Sequence, residues 1–216
     1  MTNTNEKVKR TSKLFLLFAF AITFSFAACG GDDDDKKPTI PTGPFPWLKV
    51  GYEWTFEETE YDADGNTTDT DTRTFHIVEK RTEGAWDVYV ALRNNTDSVN
   101  WWMYNKQENA IFANSSVPLM FWNCFVGQIW NNDRSIVESV SELTIVPAGG
   151  FYCVKIKTIR TFTLPGAFST TTEEFWYISK TYGLIKHEEI IKHTDVGQPT
   201  KETRIVSVLK SKNFLN

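Results

Sequence analysis

The sequence predicts a nearly all-β domain, an antiparallel arrangement of about ten strands. Three observations carry this. Apolar and polar residues alternate with period two through most of the chain after Trp47. Valine, isoleucine, threonine and aromatics dominate these runs, and none carries strong helical spacing. Clusters of Gly, Asn, Asp and Pro separate the runs at short intervals.

The first run is "YEWTFEETEY", in which Tyr52, Trp54 and Phe56 share one face and Glu53, Thr55 and Glu57 the other. "YDADGNTT" then supplies a turn, because Asp64, Gly65 and Asn66 tolerate the positive φ of tight hairpins. "TRTFHIVEK" answers it, and the alternation continues through "AWDVYVALR", "SVNWWMYN", "ESVSELTIV", "FYCVKIKTIRTFTL" and "STTTEEFWYISKT". "LIKHEEIIKHT" and "TKETRIVSVLKS" close the chain around "DVGQP". Ser115 to Asp133 fits no strand pattern and reads as a short helix or an irregular crossover. Val50, Gly51 and Trp54 are echoed by Val126, Gly127 and Trp130, a weak sign of two related halves in which each glycine opens a strand.

Ahead of this domain the chain carries a different kind of information. Lys7, Lys9, Arg10 and Lys13 precede an apolar run, Leu14 to Phe26. That run is roughly 13 residues long, the length of a secretory signal core and short of the roughly 20 a spanning helix needs. Phe26, Ala27, Ala28 and Cys29 resemble the lipobox of bacterial lipoproteins, with Phe26 where leucine is commonest. The resemblance implies cleavage after Ala28 and lipid on the Cys29 thiol. Two or more acyl chains, at about 0.8 kcal/mol per methylene, then anchor the protein to a membrane. The aspartates that follow, Asp32, Asp33, Asp34 and Asp35, resemble the export signal of Bacteroidetes surface lipoproteins. This implies an outer-membrane lipoprotein displayed at the cell surface, with the periplasmic face as the other location. "KKPTIPTGPFP" is a proline-rich tether. The organisation expected is residues 1–28 signal peptide, 29–46 lipidated acidic tether and 47–216 β domain.

Three further stretches, "FPWLKVGYEWTF", "LTIVPAGGFYCVKI" and "EEFWYISKTYGLIKHE", resemble a recurrent set in poorly characterised bacterial secreted proteins and lipoproteins. There a Pro-Leu-x-x-Gly-x-x-Trp start, a Val-Pro-Ala-Gly-Thr-Phe turn and a Trp-Tyr…Gly-Leu-Val-Lys strand pair come in this order. Gly150 here replaces the threonine and Ile185 the valine. The resemblance implies a single curved antiparallel sheet, similar to the half-barrel of lipoprotein carriers that hold acyl chains, and it brings no catalytic residues.

Charge and motifs narrow the function. Loss of the leader removes four positive residues and one negative, taking the net charge from −4 to −7. A chain without basic stripes is not expected to bind nucleic acid. No nucleophile elbow, phosphate-cradling loop or dinucleotide fingerprint is present, so the expectation is a protein that is not an enzyme and carries no cofactor. "HEEIIKH" lacks the four-residue histidine spacing of a zinc helix. On a strand, His187, Glu189 and His193 share a face, read here as a solvated outer face with no metal.

Cys124 and Cys153 are the thiols that remain once Cys29 is lipidated. They are either a disulfide, worth about 4 kcal/mol in the chain-entropy model, or two separate buried cysteines. Asp97, Ser98 and Val99 resemble the acceptor tripeptide of Bacteroidetes O-glycosylation, which makes Ser98, in an expected turn, a candidate for modification. Trp101 and Trp102 are adjacent, so on a strand they point to opposite faces and one falls outside a one-sided core. They are the candidate ligand-binding residues.

The function expected is a non-catalytic binding protein, membrane-attached through its lipid, that holds a glycan or peptide on exposed aromatics. The alternatives are a carrier of a hydrophobic ligand facing the periplasm and a structural subunit. An outer-membrane partner protein would suit each of them.

Overall fold

In the computed structural model, residues 45–113, 117–132 and 134–214 are described, without the side chains of Asn100 and Trp101. Cys29 and the Asp32 to Asp35 cluster lie outside these residues. The fold is all-β, as the alternation predicts, with twelve strands among the described residues where about ten were expected. They are β1 (Glu53–Tyr61), β2 (Thr67–Glu83), β3 (Trp86–Arg93), β4 (Asp97–Asn105), β5 (Ala110–Phe112), β6 (Met120–Phe121), β7 (Ile129–Trp130), β8 (Ser135–Val146), β9 (Gly149–Leu164), β10 (Phe168–Ser179), β11 (Gly183–Asp195) and β12 (Lys201–Asn213). The additional strands are short. β6 and β7 have two residues each, too few to show alternation, and they fall in the stretch read as a helix or crossover.

The strands form one antiparallel sheet in the order β6-β5-β4-β3-β2-β1-β12-β11-β10-β9-β8-β7. This is two meanders of six strands joined along β1 and β12, where Glu57 pairs with Val208 and Tyr61 with Arg204. Register shifts interrupt the ladders between Thr55 and Phe56, Ile77 and Glu79, Tyr89 and Val90, Val137 and Ser139, and Tyr177 and Ile178. An extra residue on one strand bends it and increases the local twist, so bulges spread across the sheet curl it into a half-barrel. The two edges come close enough to touch. The Trp130 indole N–H donates to the Pro118 carbonyl at 2.7 Å, and its ring meets Phe121 edge-on at 5.6 Å.

The Val-Gly-x-x-Trp echo marks equivalent points in the two meanders. The Gly51 N–H donates to the Ile77 carbonyl and the Ile77 N–H to the Tyr52 carbonyl. Gly127 donates to Val137, and Val137 to Gln128, in the same way. Two turn bonds also repeat, Leu48 to Phe45 with Cys124 to Phe121, and Tyr52 to Lys49 with Gln128 to Phe125. Gly51 and Gly127 have φ of 91° and 83°, a conformation open to glycine at little cost. Each meander therefore starts with the same hydrogen-bonded turn.

The residues before β1 fold into the interior. Phe45 is already in the core, two residues before the expected domain start, and Trp47 is 1% exposed. Trp47 packs edge-on against Trp54 at 6.2 Å and Trp102 at 5.2 Å, while Phe45 meets Trp122 and Tyr104. Burying one such tryptophan contributes about 4–6 kcal/mol before chain entropy is subtracted. On the opposite face of the sheet, alternate residues form ion pairs, among them Lys157 with Glu173, Arg204 with Glu188 and Lys210 with Glu57. The buried Asp87 carboxylate of β3 ties β2 to the turn after β4 by accepting from Thr82, Lys80 and Lys106. Burial alone would raise its pKa, but the Lys106, Lys80 and Thr82 contacts outweigh burial and hold it below the usual carboxylate value.

Gly183 tests the packing of the Trp47 segment. A Cβ there would stand 2.8 Å from two Trp47 ring carbons at a φ of +82°. Gly65, with the same φ, has nothing within 4 Å of a Cβ. Gly183→Ala is expected to destabilise by about 3 kcal/mol and Gly65→Ala by about 1 kcal/mol in chemical unfolding. Equal effects would show that Trp47 does not press on Gly183.

Candidate functional site

The concave side of the sheet encloses a cavity of about 300 Å³. Phe56, Phe75, Val99, Trp102, Trp176 and Leu184 line its apolar part, and Glu58, Arg73, Arg93, His187 and Ser207 its polar part. A second hollow of about 310 Å³ shares Ala113 and Trp176 with it and is lined by Leu119, Ser135, Thr158, Arg160 and Glu174 among others.

The strand registers order these residues into rows across the sheet. In the first row Val154 pairs with Ile178, Ile178 with Leu184, and Leu209 with Phe56. Two residues further along β9, β10, β12 and β1, and three along β11 where the register shifts, Ile156, Trp176, His187, Ser207 and Glu58 are register neighbours in that order. The next row is Thr158, Glu174, Glu189, Ile205 and Glu60. The interior face therefore passes from apolar, through a mixed row, to a row rich in carboxylates, because the period-two faces of four strands change character at the same register.

Two of the four carboxylates in these rows, Glu58 and Glu174, are held by cations. Glu58 accepts from Ser207 Oγ at 2.9 Å and pairs with Arg73 at 2.6 Å. Glu174 pairs with Arg160. Glu189 has no salt bridge among the described residues, and its pKa is raised, first by burial and then by the charges of Glu174 and Glu58, with Arg160 opposing.

The His187 ring lies 4.0 Å from the Trp176 ring, tilted by 33°. His187 Nε2 and Trp176 Nε1 are both shut off from solvent and have no hydrogen-bond partner in the protein. Burial, followed by the nearby Arg160 charge, pushes the His187 pKa down to about 4, so the ring is neutral at pH 7.

The structure redistributes the residues singled out in the sequence. Trp102 is 1% exposed and lines the cavity, so it is no exposed platform; Trp47 packs against it on the face it occupies. The Trp101 side chain lies outside the described residues. Ser98 is exposed but sits within β4, opposite Leu92, two residues past the turn at 94–96 and not in a turn as expected. Cys124 and Cys153 are separate buried free thiols. Burial raises the pKa of both, to about 11 for Cys153, whose Sγ faces the Phe151 carbonyl at 3.7 Å.

His187 and Glu189 share the interior face, which corrects the expectation of a solvated outer one: curvature turns that side of β11 inward. His193 lies further along, bonded to Thr170 and Asp195. No group of three His, Cys, Asp or Glu among the described residues is placed to hold a metal ion. Sequence reasoning missed Arg73, Arg160 and Glu174. The one signal for them was their placement on the same alternating face as Phe75, Ile156 and Trp176.

The neutral state of His187 has a measurable consequence. Below pH 6.5 the unfolded chain takes up a proton that the folded state refuses until about pH 4. Stability should therefore fall by up to about 3 kcal/mol between these values on account of this group. Denaturant melts from pH 7 to pH 4 should show that His187→Phe loses this part of the decline; parallel profiles for the two proteins would contradict it.

No protein-family model matches the chain, and no curated protein matches it. Among solved structures, a candidate lipoprotein from Parabacteroides distasonis is similar at 15% identity with a TM-score of 0.37, over 77% of this chain and 96% of that one.

Proposed function

We propose that this chain is a bacterial envelope lipoprotein, anchored through Cys29, whose half-barrel binds an apolar ligand in its interior cavity. The observation that carries the binding reading is the cavity itself: about 300 Å³, walled by Phe56, Phe75, Trp102, Trp176 and Leu184, with Glu58, Arg73, Arg93, His187 and Ser207 also in its lining. Concave, mainly aromatic hollows with a few placed polar groups are the usual form of small-ligand sites. Of the functions weighed from the sequence, this favours the carrier of a hydrophobic ligand over a glycan module, since Trp102 faces inward. Anchoring rests on the lipobox-like Phe26 to Cys29, and surface display on Asp32 to Asp35.

Binding is tested with the neutral fluorophore N-phenyl-1-naphthylamine. Its emission should rise on addition of the chain with micromolar affinity, and Leu184→Trp, which fills the cavity, should weaken binding at least tenfold while the protein stays folded. Unchanged affinity in that variant would place the probe elsewhere and overturn the reading. For the anchor, Cys29→Ala should abolish fatty-acid labelling and release the protein from the membrane fraction. Alanine at Asp32 to Asp35 should make the protein resistant to protease added to intact cells.

A further inference from the structure

We infer that the hollow beside the cavity takes the singly charged anionic head of an amphipathic ligand, with Arg134 and Arg160 as its cations and the ligand's apolar body passing Trp176 into the cavity. This rests on the reading of the cavity as a ligand site and adds the charge of the ligand's head.

The hollow, about 310 Å³, and the cavity, about 300 Å³, adjoin: Trp176 and Ala113 line both. The charged residues in the hollow's lining are Arg134, Arg160 and Glu174, two cations against one carboxylate. Neighbouring strands bring the cations together. Ser135, which follows Arg134, pairs with Thr158, two residues before Arg160, and the two hydroxyls lie 3.1 Å apart. The Ile159 N–H, next to Arg160, donates to the Arg134 carbonyl at 2.8 Å. Arg160 pairs with Glu174 through one terminal nitrogen, and a guanidinium carries five N–H donors. Arg134 is exposed and has no salt bridge among the described residues. One positive charge in the lining of the hollow is therefore left without a counter-charge.

In the cavity the charges balance. Arg73 is held by Glu58 and Arg93 by Asp97, while His187 is neutral. The surplus charge thus belongs to the hollow and the apolar wall of Phe56, Phe75 and Leu184 to the cavity, which is the polarity of an amphiphile. The two regions also sense each other electrostatically, since after burial the Arg160 charge is the next cause that lowers the His187 pKa. A carboxylate matches a surplus of one and can take two parallel N–H bonds from a guanidinium. An ammonium head would meet Arg134 and Arg160 as like charges.

The experiment measures laurate, methyl laurate and dodecylamine at pH 7 by displacement of N-phenyl-1-naphthylamine from the purified full chain. Laurate should bind at least about fivefold more tightly than methyl laurate, and dodecylamine more weakly than either. Apolar burial cannot produce that order, because the ester is the more apolar molecule. Arg134→Gln and Arg160→Gln, both checked by thermal melting, should bring laurate to the affinity of methyl laurate and leave methyl laurate within about twofold. Arg134 is exposed and outside any salt bridge among the described residues, so the comparison stands on Arg134→Gln if Arg160→Gln, which strips Glu174 of its cation, fails to fold. Laurate binding no tighter than methyl laurate, or unchanged in Arg134→Gln, would overturn the inference and leave the cavity reading intact. Failure of all three probes to displace the fluorophore would overturn the cavity reading and this inference with it.

Discussion

The contact between Trp47 and the Gly183 backbone is the constraint on which the rest of the structure depends. The half-barrel has more concave surface than its strands alone can fill, and an empty interior would forfeit both burial and dispersion. The segment ahead of β1 fills one part of it. Trp47 packs edge-on against Trp54 and Trp102, and Phe45 brings in Tyr104 and Trp122. This works because residue 183 has no side chain at the point of closest approach. The Trp54 indole N–H donates to the Tyr182 carbonyl at 2.9 Å and holds the same turn.

Filling one part of the interior leaves another part open, and the register of the ladders decides its chemistry. The apolar row at Ile178, Leu209 and Phe56 gives way within two residues to Trp176, His187, Ser207 and Glu58, and then to Glu174 and Glu189. A shift of one residue in β11 would exchange His187 and Glu189 for Lys186 and Glu188, which on the other face are paired with each other. The cavity is therefore as specific as the pairing of β10 with β11 and of β11 with β12. The ion pairs on the opposite face, including Lys157 with Glu173 and Arg204 with Glu188, support that pairing, although each exposed pair contributes at most about 1 kcal/mol.

Much of the fold was legible before any tertiary contact was known. The start of "YEWTFEETEY" alternates because one face is buried, and the glycines and asparagines between such runs stand where positive φ is needed, as at Gly65, Asn94 and Gly166. The echo around Gly51 and Gly127 was visible as three matching letters within five positions and corresponds to a repeated set of backbone hydrogen bonds. β6 and β7 were not legible, since two residues cannot show a period. The site was less legible still. His187 and Glu189 could be assigned to one face of a strand, but period two does not say which face curvature turns inward.

The sequence by itself determined the all-β class, the position of most strands and turns, and the candidate anchor at Cys29, because these depend on local φ, on side-chain alternation or on a short linear motif. Tertiary structure alone decided that the sheet curls, that Trp102 faces a cavity instead of solvent, that Cys124 and Cys153 are separate thiols, and that His187 meets Trp176. Those outcomes depend on bulges and registers that accumulate over twelve strands and on which residues they bring opposite one another, and no local pattern encodes that sum.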